Sequence, residues 1–134
     1  MKLKILTLLI GLIFNSCSSN KISLKNKIIG KWAIEKIEFN HKDYKSYLFS
    51  NVLIFNVNSD ISIPETVHFI DDPNSSWKIL DNKKLVIESS NLAFKDTFDI
   101  KFLKRTKLEP RGLEIKSDSI FIKAFNLFDL ENEN

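Results

Sequence analysis

Beyond Gly30 the apolar residues recur at every second position over short stretches, and turn-forming residues interrupt them about every eight to twelve positions. Side chains on a strand alternate between faces, so this pattern suits strands with one face buried. No segment sustains the i, i+3, i+4, i+7 spacing of a core helix. The best-marked hairpin joins Trp77-Lys78-Ile79-Leu80 to Leu85-Val86-Ile87-Glu88 through Asp81-Asn82-Lys83-Lys84. Thr97 to Phe102 and Leu113 to Lys116 alternate around a turn at Glu109-Pro110-Arg111-Gly112, and Ser117-Asp118-Ser119 leads into Ile120 to Phe125.

Earlier in the chain the alternation begins at Trp32-Ala33-Ile34, loses phase at Lys36 and resumes in Ile37-Glu38-Phe39, as a β-bulge would cause. Asn40-His41-Lys42-Asp43 reads as a turn. Leu53, Phe55 and Val57 read as one strand closed by Asn58-Ser59-Asp60, with Tyr44 to Phe49 open between a strand and a helical turn. Short strands at Ile61 to Ile63 and Val67 to Ile70 flank Pro64 and the turn Asp71-Asp72-Pro73-Asn74. Ser23 can cap a short helix over residues 23–29 that carries Leu24 and Ile28 on one face. So many short strands in one chain would expose edges unless the sheet closes. The expectation is an all-β, antiparallel up-and-down β-barrel of about eight strands, with a short N-terminal helix and an interior wide enough for side chains or one small ligand.

The first residues are of a different kind. Met1-Lys2-Leu3-Lys4 precedes an apolar run from Ile5 to Phe14, which ends at Ser16-Cys17-Ser18-Ser19. That is the order of a secretory signal, and the run is about half the length a spanning helix needs. Cys17 is the only cysteine. Its placement resembles the lipobox of bacterial lipoproteins, although Phe14-Asn15 departs from the usual Leu and small residue. The resemblance implies cleavage after Ser16, lipid attachment at Cys17 with acyl chains such as palmitate, and anchoring to an envelope membrane. Asp does not follow Cys17, which under the best-known sorting rule implies the outer membrane. The division expected is a signal peptide over 1–16, a lipidated tether over 17–22 and one barrel domain over 23–134.

Loss of Lys2 and Lys4 with the signal leaves 18 of the 20 basic residues against 17 acidic ones, so the net charge gives no reason to expect nucleic acid. The lysines from Lys21 to Lys31 lack interleaved stacking aromatics and read as solvated surface.

At Gly30-Lys31-Trp32, following a short helix, the chain resembles the opening of lipocalin-type barrels, and Ser76 to Leu85 is similar to the Trp hairpin of short lipocalin-like bacterial lipoproteins. The resemblance implies that Trp32 closes the barrel floor beneath the helix and that the barrel binds a small hydrophobic ligand. No arginine lies in the last strand to stack on Trp32, leaving Lys116 or Lys123 for that place.

Candidate chemistry is sparse. His41 with Asp43, and His68 with Asp71 and Asp72, have no metal-ligand spacing, and Glu35 with Glu38 and Asp96 with Asp99 stand at offsets that split a pair between strand faces unless a bulge intervenes. No Gly-x-Ser-x-Gly setting or glycine-rich phosphate loop is present in a chain with three glycines. The expectation is a non-enzyme without cofactor or metal. Trp32, Phe55, Trp77, Phe98, Phe102 and Phe121, recurring in alternating strands, are the candidate ligand-binding residues. The same aromatics can instead fill the barrel solidly, which would make the domain a protein-interaction or inhibitor module acting through loops such as Ile63 to Ser76.

Overall fold

The computed structural model describes residues 24–66, 74–91 and 94–128. Its strands are β1 (Gly30–Phe39), β2 (Lys42–Asp43), β3 (Val52–Phe55), β4 (Ile61–Ser62), β5 (Ser76–Ile79), β6 (Leu85–Glu88), β7 (Asp96–Leu103), β8 (Gly112–Lys116) and β9 (Ile120–Asn126). Every pairing is antiparallel. The ring runs β1, β3, β4 and onward to β9, which returns to β1, while β2 pairs with β1 alone. Among the described residues the contact between β4 and β5 narrows to the bridge Asp60–Ser76, with Ile61 N–H donating to Ser75 O at 3.1 Å and Trp77 N–H to Ser59 O at 2.9 Å. The molecule is thus a nearly closed, eight-stranded, up-and-down antiparallel barrel, consistent with a lipocalin-like fold.

The pleat explains the closure. Alternate residues of β9, namely Ile120, Ile122 and Ala124, are buried, as are Leu85 and Ile87 of β6 and Trp77 and Ile79 of β5. These side chains converge in one cluster with Ile28, Trp32, Ile34, Ile37, Leu53, Phe55 and Phe98. The phase loss at Lys36 is a true bulge: Ile34 pairs with Ala124 and Lys36 with Lys123, leaving Glu35 without a partner position. Ile34 and Ile37 both point inward as a result, and Glu35, Lys36 and Glu38 all lie on the outer side.

Several local expectations shift. Asn40 and His41 form the turn with positive φ of 50° and 63°, and Lys42-Asp43 already belong to strand β2. Tyr44 to Phe49 resolves into a 3₁₀ turn at Lys45–Tyr47. Val57 falls in the turn after β3 instead of extending it, because Ser59 N–H bonds back to Asn56 O. Gly112 starts β8, so the loop before it is residues 104–111. The expected strand at Val67 to Ile70, the signal segment, Cys17, Ser23 and the tail from Asp129 lie outside the described residues.

Candidate ligand site at the helix end

Residues 24–28 form the helical segment, and it lies at one end of the barrel. Ile28 is wholly buried and Leu24 packs against the core. The last carbonyls of a helix lack partners within it. Here the indole Nε1–H of Trp32 donates to Ile28 O at 2.7 Å, so the first buried residue of β1 caps the helix that precedes it. Gly30 joins the two with φ of 134°, a backbone conformation that a side chain rarely tolerates, although a Cβ there would meet nothing closer than Asn126 Nδ2 at 3.9 Å. Pairing of Gly30 with Phe55, Trp32 with Asn126 and Leu103 with Gly112 brings the loops 56–60 and 104–111 and residues 127–128 to this same end.

The six candidate aromatics do not share one site. Trp32, Phe55, Trp77 and Phe98 are each 2% exposed or less and fill the interior, with Phe55 and Trp77 edge to face at 5.4 Å. Trp77 Nε1–H is satisfied by Asn56 O at 3.2 Å. Phe102 belongs to the inner face of β7 but is half-buried at the barrel's end, 6.5 Å from the Trp32 ring. Phe121 is on the outer face, because Ile120 and Ile122 take the inward positions of β9; the Lys36 ammonium sits 5.6 Å from its ring. Neither lysine considered for Trp32 stacks on it. Lys116 ends β8 at the opposite end of the barrel, and Lys123 lies outside, 3.0 Å from Glu35.

What the structure brings together instead is a depression of about 270 Å³ at the helix end. Phe102 and Leu103 supply its apolar surface above the buried Trp32, and Lys27, Lys104, Arg105 and Arg111 supply its charged rim. The Lys27 ammonium lies 6.0 Å from the Phe102 ring centre. Gly112 lets β8 approach β7 closely, since a Cβ there would stand 2.9 Å from Leu103 Cβ. A second depression of about 430 Å³ adjoins it, shares Arg111 and is bordered by Ile29, Leu127 and Phe128. Sequence reasoning found Trp32 and Phe102 but not the basic rim. Its signal was the run of Lys104, Arg105, Lys107 and Arg111 in one loop, which acquires meaning only once that loop is placed beside the helix.

The opposite end is chemically different. A groove of about 360 Å³ there is lined by Glu38, His41, Glu114, Lys116 and the turn Ser117 to Ser119, with Phe121 as an apolar neighbour. Among the described residues no three His, Cys, Asp or Glu side chains gather as a metal site, and His68, Asp71 and Asp72 lie outside them. On the outer wall the hydrogen bond and charge of Glu35 raise Lys123 above its ordinary value. Asp96 accepts a hydrogen bond from Ser119 Oγ, and Asp99 pairs with Lys84, which separates these two carboxylates into unrelated contacts.

Compared with protein-family models, curated protein sequences and solved structures, this chain finds no match.

Proposed function

We propose that the protein is an envelope lipoprotein, tethered to the outer membrane through lipid on Cys17, whose barrel binds one small amphiphile without catalysing a reaction. The observation that carries the binding reading is the depression at the helix end, where apolar Phe102 and Leu103, above the buried Trp32, meet four cationic side chains. Such a lining suits an apolar chain ending in an anionic group, because the chain removes apolar surface from water while the rim offers charge-assisted hydrogen bonds. The ligand position thereby moves from the barrel interior, which aromatic side chains occupy, to its end.

Native mass spectrometry of the gently purified protein, followed by titration with a brominated fatty acid that quenches tryptophan emission, tests the reading. Uptake of the acid is expected, with weaker uptake by Phe102→Ala and by Lys104→Glu. Protein that is always empty and takes up neither acid nor hydrophobic dye would overturn it. Incorporation of radiolabelled palmitate that persists in Cys17→Ala would overturn the tether.

The packed interior favours a second reading, a solid-cored interaction module. Ile63, Thr66 and Ser75 are buried and fix the base of the loop from Ile63 to Ser76. Crosslinking in native membranes should then trap one protein partner, and substitutions in that loop should abolish the trapping.

A further inference from the structure

Two features of the helix end combine there and nowhere else among the described residues. Lys27, Lys31, Lys104, Arg105, Lys107 and Arg111 are all exposed and all belong to it. The acidic residues of the loops there are fewer: Asp60, Asp81 and Glu109 among the described residues. At the opposite end Lys42, Lys45 and Lys95 are offset by Asp43, Glu65 and Asp118.

The second feature is apolar. Val57, Leu108 and Phe128, respectively 73%, 94% and 67% exposed, project from the helix end, whereas Phe49 at 69% and Tyr47 at 42% stand at the far end, where the charges balance. Leu108 is displayed by an ordered turn, since Thr106 N–H donates to Glu109 O at 2.9 Å and Thr106 Oγ1 accepts from the backbone of Leu108 and Glu109. Val57 stands on a comparable turn, where Asn58 Nδ2 donates to Asp60 Oδ2 at 2.7 Å. Local hydrogen bonds hold both side chains outward instead of letting them fold back onto the barrel.

We infer that this end of the barrel docks on an anionic lipid bilayer, with Leu108, Val57 and Phe128 entering the interface and the basic side chains meeting lipid phosphates. Cations flanking protruding apolar residues match that layered solvent: apolar tips reach the acyl boundary while charges stay at headgroup depth. The inference rests on the tether reading for its orientation. Residues 17–23 can span at most about 25 Å, so a lipid on Cys17 would hold the helix end, not the far end, against the membrane.

The test uses the full chain reconstituted in phosphatidylcholine vesicles with or without phosphatidylglycerol. An environment-sensitive dye is attached at Leu108→Cys or, at the far end, at Phe49→Cys. Lipids bearing a quencher at the acyl boundary should quench the dye at position 108 strongly when phosphatidylglycerol is present and leave the dye at 49 unaffected. Each basic residue near such a surface is worth about fivefold in association, so Lys104→Glu with Lys107→Glu should weaken docking about 25-fold or more.

A dye at 108 that stays in water on anionic vesicles, or equal quenching at both positions, would overturn the docking. The parent chain separates the two readings. If it takes up dye at Cys17 and washes off vesicles in high salt, the tether reading fails; docking is then read from the unanchored chain, whose low-salt retention on anionic vesicles must show the same loss on charge reversal.

Discussion

The indole of Trp32 and the carbonyl of Ile28, 2.7 Å apart, tie the helical segment to the barrel through a buried hydrogen bond that spans four residues in sequence. Trp32→Phe keeps a large ring but leaves Ile28 O without its donor, at an expected cost of about 1–3 kcal/mol. Trp32→Ala adds a cavity and should cost about 3–5 kcal/mol. Urea unfolding of both variants checks the order, and a Trp32→Phe protein as stable as the parent would show that the bond contributes nothing.

The close approach of β7 and β8 predicts a second effect. Gly112→Ala places a methyl 2.9 Å from both Cβ and Cδ1 of Leu103, and one of these atoms is fixed to the backbone. Overpacking of this kind costs about 1–3 kcal/mol. Leu103→Gly removes both obstructing atoms, so the double variant should be less destabilised than the two single changes added together, a coupling that denaturation of all four proteins measures directly.

In the best-marked hairpin, Lys83 N–H donates to Leu80 O at 2.9 Å and Leu80 N–H to Lys84 O at 2.8 Å, with Lys83 at φ of 63°. This is a type I turn followed by a left-handed residue, a position that glycine fills without strain. Lys83→Gly should stabilise the protein by up to about 1 kcal/mol, the strain relieved being partly offset by the freer unfolded chain. A lowered thermal midpoint would contradict the turn geometry.

Lys123 gives a pH dependence with a defined sign. Its hydrogen bond to Glu35 and that carboxylate's charge raise its folded value above the ordinary 10.5. A raised lysine contributes its stabilisation below the unfolded value and loses it as pH rises through the folded one. Glu35→Gln should therefore lower the Lys123 titration seen by NMR. Any stability difference between this variant and the parent at neutral pH should fade as the pH rises into strongly alkaline solution.

The barrel was readable from the sequence because alternation and turn residues report the sheet's inner face directly, and even the bulge at Glu35 announced itself as a lost phase. Val57 misled because it continues the alternation of Leu53 and Phe55 into a turn set by Asn56, Asn58 and Asp60. Phe121 misled for a related reason: one strand's phase cannot be assigned inward or outward until its partners are known, and pairing with Glu38 places it outside. The basic rim was illegible because Lys27 and Lys104 are distant in the chain and become neighbours only when β1 and β7 reach the same barrel end.

The narrow contact between β4 and β5 has a consequence for how the molecule opens. Among the described residues β4 is held lightly on both sides, by two paired positions to β3 and through Ser59, Ile61, Ser75 and Trp77 to β5, whereas β1 and β9 share seven paired positions. Fluctuations should unzip the cylinder at this line first, so the amides of Ile61 and Trp77 should exchange with solvent sooner than those of β1 facing β9. An opened line would present two unsatisfied strand borders at once, and in crowded surroundings these are the borders through which neighbouring molecules join into one continuous sheet.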